Sequence, residues 1–139
     1  MSNNVLEYAD VPQVAMDAMN EVHREELEIV NNIHVAIVNK NEQEITLLCE
    51  QWLEHTKAHF DKENRLMEKY GFPAFHCHHS EHVEALQGLE VIIQNWKDKK
   101  DWQDLTAYVV DIWPQWYITH ISTMDTVTSA FIKQSMLSE

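Results

Sequence analysis

Apolar side chains recur every three or four residues along four stretches of the chain, which is the spacing of one face of an α-helix. In the first stretch this face comprises Leu27, Val30, Ile33 and Ile37. The periodicity predicts an N-terminal arm over about 1–11, followed by four helices over about 12–39, 42–70, 75–97 and 102–136.

Local signals mark where these helices begin, end or bend. Asn41 with Glu44 three residues later forms a capping-box pattern at the start of the second helix. Gly71 followed by Pro73 ends that helix, because glycine readily adopts the left-handed conformation and proline cannot continue a helix. Pro114 lies inside the fourth helix, where its missing backbone donor predicts a kink.

The residues left between the helices are few. The 139-residue chain contains only two glycines and three prolines, which leaves little material for hairpins or long loops. Short connections make successive helices antiparallel. We therefore predict a single all-α domain over residues 1–139, folded as an up-down-up-down four-helix bundle.

Net charge and hydropathy restrict the partners of the chain. The formal net charge is −13 at pH 7, whereas phosphate backbones and anionic membrane surfaces attract clusters of Lys and Arg. No apolar stretch approaches the about 18 to 20 residues of a membrane span, and the start, MSNNVLEYAD, lacks the features of a signal peptide. We expect no nucleic-acid partner, no membrane insertion and a cytoplasmic location.

Five histidines and two carboxylates are distributed over the four predicted helices. They are His23, His59 with Glu63, His78 with His82, and His120 with Asp125. Residues four apart on a helix project about 40° from each other, so two of these pairs can each share one centre. Asp125 lies five residues after His120, about 140° away in a regular helix, and we expect a local distortion there. Because the helices alternate in direction, all these positions fall toward one end of the bundle.

The number of donors indicates two metal ions. A structural zinc ion needs four ligands and would leave three of the seven donors unused. Suppose that both carboxylates and one solvent-derived oxygen bridge two ions. The five histidines then supply five bonds, the two carboxylates four and the solvent oxygen two, which makes eleven, whereas two six-coordinate ions need twelve. One position then stays open for a small ligand such as O2. Two divalent ions, two carboxylates and a hydroxide carry a net charge of about +1, which can be buried.

This pattern resembles the hemerythrin family, and in particular the single-domain bacterial hemerythrins. The resemblance rests on His23 and on three runs of sequence: HFDKENRLMEKYGFP from His59, HHSEH from His78, and WYITHISTMD from Trp116. It implies that His78, His82 and His120 hold one iron and that His23 and His59 hold the other. It also implies that an oxo or hydroxo group bridges the two irons together with Glu63 and Asp125. O2 then binds reversibly at the iron with two histidines.

The richness in histidine favours reversible O2 binding over oxidation, because oxidising di-iron bundles use more Glu ligands. We expect five side chains to wall the O2 pocket: Tyr117, Trp116, Ile121, Phe60 and Leu27. Tyr117 departs from the family, which usually has an apolar residue there. Its phenol either donates a hydrogen bond to O2, lines an access route, or points elsewhere on the helix surface. Asn64 stands where many relatives have a second glutamate, and we expect it to affect only surface polarity or the polarity around the site.

The sequence thus predicts an O2-binding protein, rather than an enzyme, that serves oxygen carriage, storage or delivery. One alternative is a di-iron redox enzyme, another is a sensor of O2 or nitric oxide, and a third is a zinc or general metal-binding module. The choice between O2 and nitric oxide, the oligomeric state and the identity of an O2-consuming partner protein stay open at this point.

Overall fold

Four long helices form the computed structural model, which describes residues 3–139. The first three are α1 (Asp17–Val38), α2 (Glu42–Lys69) and α3 (Phe75–Lys99). The fourth, α4, is continuous through the segments Trp102–Ala107, Tyr108–Ile112, Trp113–His120, Ile121–Asp125 and Thr126–Leu137. A 3-10 turn, Tyr8–Asp10, lies in the N-terminal arm, whose first two residues are outside the described range.

Helices that follow one another in sequence also pack side by side. Contacts join α1 to α2, α2 to α3 and α3 to α4, and α4 closes the bundle against α1. Between residues 3 and 139 the structure contains no β-strand. The predicted all-α, up-down-up-down four-helix bundle is confirmed. None of the described helices combines the length and the hydropathy that crossing a membrane requires.

The prediction that the first helix begins near residue 12 is wrong, since α1 begins at Asp17. The Asn20 side chain accepts a hydrogen bond from the Val14 N–H at 2.8 Å and donates one to the Val14 carbonyl at 3.0 Å. The Ala15 N–H donates to Ser129 Oγ at 3.2 Å. These bonds occupy the backbone groups that a longer helix would use, and they hold the segment extended across the bundle.

Two π-helical turns interrupt the α-helical geometry of α4. In the first, Tyr108–Ile112, the Trp113 N–H donates to the Tyr108 carbonyl five residues back. This turn ends two residues before Pro114, so the irregularity that the structure shows in this part of α4 is a widened turn. The second π turn, Ile121–Asp125, has the same pattern between Thr126 and Ile121. The local distortion predicted between His120 and Asp125 is thereby confirmed.

The larger apolar core begins beside the ligand histidines, where it includes Tyr117 and Ile121, and extends into the half of the bundle away from them. Six of its largest side chains are at most 2% exposed: Ile33, Ile45, Trp52, Ile93, Trp96 and Leu105. Burial of each such side chain contributes about 1.5–3 kcal/mol to the stability of the fold. This core provides the stability that a polar interior at the other end does not.

Candidate metal centre

All seven predicted metal ligands lie together in the interior of the bundle. None of their residues is more than 6% exposed, and every helix contributes at least one of them. The donor atoms form two groups, in each of which all the atoms lie within 4.8 Å of one another. The three-histidine group contains Glu63, His78, His82, His120 and Asp125. The two-histidine group contains His23, His59, Glu63 and Asp125.

Glu63 faces both groups with different oxygen atoms. Its Oε1 lies 3.5 Å from His78 Nε2 and 3.3 Å from His82 Nε2. Its Oε2 lies 2.5 Å from His59 Nε2. This arrangement gives each group one oxygen of the same carboxylate.

Asp125 is shared between the groups in the same way. Its Oδ1 lies 3.2 Å from His78 Nε2 and 3.3 Å from His120 Nε2, whereas its Oδ2 lies 3.0 Å from His23 Nε2. The π turn Ile121–Asp125 makes this possible, because bonds from residue i to i+5 bring residues five apart onto the same face. Both carboxylates are therefore placed to bridge two ions.

The second ring nitrogen of four of the histidines contacts an oxygen outside the metal-facing set. His59 Nδ1 lies 3.0 Å from Glu26, His78 Nδ1 2.7 Å from Thr128, His82 Nδ1 3.1 Å from Asn64, and His120 Nδ1 2.6 Å from Glu81. A ring that donates its Nδ1 proton outward leaves Nε2 free to bind a metal. These contacts orient the four rings toward the centre.

The predicted site did not include Glu26, Glu81 or Thr128, which contact three of the ligand histidines. The one signal in the sequence is that Glu26, three residues after His23, places a carboxylate in the inward stripe of α1. Asn64 was expected to influence only polarity at the surface or around the site, and it makes a direct contact with His82.

Several buried atoms that could bind a metal have no hydrogen-bond partner among the described residues. They include both carboxylate oxygens of Asp125, Oε1 of Glu63, and the Nε2 atoms of His23, His78, His82 and His120. An unsatisfied buried polar atom costs about 1–3 kcal/mol. Their separations of 3.0–3.5 Å match those of neighbouring ligands on one ion, which are about 3 Å for bonds of about 2.1 Å. The set therefore fits a pair of metal ions held by imidazole and carboxylate.

Burial and charge shift the pKa values of these groups in the metal-free chain. Burial lowers the pKa of His78, but its contacts with Asp125 and Glu63 outweigh burial and raise the pKa to about 9. Burial and Asp125 raise the pKa of Glu63, but His59 and His78 outweigh both and hold that pKa below its ordinary value. Burial lowers the pKa of His82. In the metal-free chain, ionised carboxylates are thus paired with protonated histidines, and a metal must displace those protons.

The metal-free chain should lose stability as the pH rises from 6.5 to about 9. Over this interval the unfolded chain has released the His78 proton and the folded chain still holds it, so the free energy of unfolding falls with pH. One such proton changes this free energy by up to about 1.4 kcal/mol per pH unit. Urea unfolding at both pH values measures the effect. The slope should persist in His76→Gln, a change to an exposed histidine, and weaken in His78→Gln. A free energy of unfolding that rises over the interval would contradict the ion pairs.

Two of the five predicted pocket residues lie against the three-histidine group. The Phe60 ring stacks on His82 with centroids 4.0 Å apart, and the Trp116 ring stacks on His120 at 4.6 Å. These stacked rings cover the imidazoles and help to exclude water from them.

The other three pocket candidates are fully buried. Tyr117 is 1% exposed, its ring lies edge-on to His23 at 5.9 Å, and its hydroxyl donates to the His23 carbonyl at 2.8 Å. The alternative that Tyr117 points to the helix surface is therefore wrong. In this conformation the phenol proton is directed at the α1 backbone. Leu27 and Ile121 belong to the apolar core.

Fold and site together define a helical-bundle protein with a candidate dinuclear metal centre. Residues 14–131 match the family model described as the hemerythrin HHE cation binding domain. This match spans more than half of the 139 residues, and the chain belongs to the hemerythrin family.

Individual relatives are similar over most of their length. A bacteriohemerythrin of Aquifex aeolicus is 23% identical over 111 residues, which cover 80% of this chain and 85% of that protein. A bacteriohemerythrin of Ralstonia nicotianae is 27% identical over 99 residues, 71% of each chain.

Solved structures show the same fold. A crystal structure of a hemerythrin with a leucine-to-tyrosine mutation has a TM-score of 0.82 and 18% sequence identity, covering 95% of this chain and 98% of that chain. A leucine-to-phenylalanine mutant has the same TM-score at 17% identity. These similarities establish the fold.

Proposed function

We propose that the seven buried ligands bind two iron ions and that the protein binds O2 reversibly at this centre, for carriage, storage or delivery. The observation that carries the proposal is the pair of shared carboxylates. Glu63 and Asp125 each direct one oxygen at each group of histidines, as two bridges between neighbouring ions would. When bound, two ferrous ions would supply the electrons that O2 takes up on binding and returns on release.

The two metal positions differ in the number of protein donors. The three-histidine group offers five donor residues and the two-histidine group offers four, with both carboxylates counted in each. A shared solvent oxygen would complete six ligands on one ion and leave five on the other. The two-histidine group has fewer donors, so an ion held there would have room for a small neutral ligand such as O2 or nitric oxide.

The surroundings of the site favour holding a ligand over reacting with it. The seven ligand residues are at most 6% exposed among packed helices, and Phe60 and Trp116 cover two of the imidazole rings. Such burial limits the supply of water and protons. With a greater supply, bound O2 would be protonated and lost from the site in reduced form. The same burial would exclude larger substrates.

Redox catalysis is the second candidate function. It is favoured by Glu26 and Tyr117, two ionisable side chains buried beside the two-histidine group, where a passive O2 pocket needs only apolar walls. An enzyme using the same two ions would turn over its ligand, and its O2-bound form would decay.

Iron analysis combined with visible spectroscopy through a cycle of reduction, air and vacuum tests the proposal. Two irons per chain and an absorption band that appears in air and disappears under vacuum are expected. A band that decays within seconds to a stable oxidised form would shift the assignment to redox catalysis. A protein without iron would overturn the metal assignment.

Tyr117→Phe should leave O2 affinity within about threefold of the wild-type value, because the hydroxyl bonds to the backbone of α1. Losing that hydrogen bond should lower the free energy of unfolding by about 1 kcal/mol. Tyr117→Leu, which also removes the ring beside His23, should change O2 affinity more. O2 equilibrium and autoxidation measurements on both variants separate the roles of ring and hydroxyl. A tenfold change in Tyr117→Phe would show that the hydroxyl reaches the ligand.

A further inference from the structure

Glu26 is a buried carboxylate that lies outside the predicted ligand set. It is 2% exposed and lies one turn after His23 on α1. Its Oε2 accepts a hydrogen bond from His59 Nδ1 at 3.0 Å, and its Oε1 accepts one from the Thr56 hydroxyl at 3.3 Å. A second histidine, His55, has its Nδ1 4.0 Å from the same Oε2. Both oxygens of Glu26 are thus engaged by α2.

A carboxylate at this position has no evident purpose in packing. Its neighbours on the inward face of α1, Leu27, Val30 and Ile33, are apolar and belong to the core. Burying an ionised carboxylate is costly unless charge and hydrogen bonds compensate it, and within residues 3–139 no Lys or Arg is among the partners of Glu26. A buried acid beside a cluster of ligands therefore indicates a role in the site.

The Nδ1 partners of the other ligand histidines differ from Glu26 in charge or in exposure to solvent. His78 and His82 face the neutral groups of Thr128 and Asn64 through Nδ1. His120 faces the carboxylate of Glu81, whose side chain is 28% exposed and so is partly solvated. Among the described residues, Glu26 is the carboxylate partner that is almost completely removed from water.

The two-histidine group depends on Glu26 more than the other group depends on any one partner. His23 Nδ1 has no hydrogen-bond partner among the described residues, so His59 is the histidine of this group whose ring is fixed through its second nitrogen. Removing Glu26 would leave neither ring of this group oriented by a hydrogen bond through Nδ1.

We propose that Glu26 is a positioning residue for the metal ion of the two-histidine group. By accepting a hydrogen bond from the Nδ1–H of His59, Glu26 directs His59 Nε2 at the ion, and its negative charge makes the imidazole a stronger ligand. The same charge offsets part of the positive charge of the ion that has the fewest protein ligands. This inference rests on the proposed function, because it needs two metal ions in the centre.

Glu26→Gln tests the inference, since glutamine keeps the size and an acceptor oxygen but removes the charge. In iron-loaded protein mixed with a ferrous chelator, one of the two irons should leave about 10–100-fold faster than in wild type, and the other should leave at the wild-type rate. The midpoint potential of the centre should rise, because removing a buried negative charge favours the reduced ions. A role limited to packing would leave that potential unchanged.

Two further variants make the comparison specific. Glu25→Gln removes the same charge from the adjacent residue, which is exposed and contacts His55, and it should leave release and potential unchanged. Glu81→Gln should change iron release less, because Glu81 is partly solvated. Its effect should fall on the iron of the three-histidine group, because Glu81 contacts His120.

The outcomes separate the inference from the proposed function. Wild-type protein that holds two irons, together with unchanged release and potential in Glu26→Gln, overturns the inference alone. Wild-type protein that holds no metal overturns both. If Glu26→Gln does not fold, Glu26→Asp decides, because it keeps the charge but shortens the reach to His59. Rapid release of one iron from Glu26→Asp supports the inference, and wild-type release contradicts it.

Discussion

Asp125→Asn should reduce the iron bound by the protein from two ions per chain to one or none. Asp125 presents Oδ1 to His78 and His120 and Oδ2 to His23, so both metal positions share it. An asparagine amide has one oxygen and no negative charge, and it cannot bridge two cations as a carboxylate does. The amide would also leave the nearby histidines without the anion that pairs with them. Iron analysis of the purified variant, loaded under the same conditions as wild type, measures the loss.

Asp111→Asn is the matched control for this experiment. Asp111 is an exposed aspartate in the other π turn of α4, so the variant makes the same chemical change in a similar backbone environment. It should bind two irons and keep the wild-type helical content. Two tightly bound irons in Asp125→Asn would show that the carboxylate is not a bridge, and equal losses in both variants would point to damage to α4 instead.

Local periodicity was sufficient to predict which of the metal ligands share one face of a helix. His59 with Glu63, and His78 with His82, lie four residues apart on regular helices, so a helical wheel suffices to place each pair on one face. His120 and Asp125 do not share a face of a regular helix, and that misfit in the sequence pattern predicted a local distortion, which in the structure is the second π turn. Local spacing thus determined which side chains could meet.

The partners beyond these ligands could not be predicted in the same way. The start of α1 depends on Asn20 and on Ser129, which is more than a hundred residues away, so no local signal places it. Glu81 reaches His120 from another helix, and the Tyr117 hydroxyl reaches a carbonyl of α1. Such contacts depend on the rotation of each helix about its own axis, which periodicity fixes only approximately.

Removing iron from the protein should lower its melting temperature by about 10–20 °C near pH 8. A ligand that binds only the folded state at a thousand times its dissociation constant adds about 4.1 kcal/mol, and each kcal/mol moves the midpoint by about 3–5 °C in a chain of this length. The metal-free chain also retains the buried donor atoms that lack hydrogen-bond partners among the described residues. Calorimetry before and after chelation measures the difference.

The decrease in melting temperature on iron removal should be larger at pH 8 than at pH 6.5. At pH 6.5 the metal-free chain keeps protonated His78 paired with Asp125 and Glu63, which substitutes in part for the missing cations. Between pH 6.5 and 8 the folded metal-free chain still holds the His78 proton while the unfolded chain has lost it, so the metal-free chain loses stability as the pH rises. In the iron-loaded chain His78 would bind metal in place of that proton, so this loss would be absent. Asp125→Asn should show little iron-dependent stabilisation at either pH. An iron effect that is equal at both pH values would mean that protons and iron do not share these ligands.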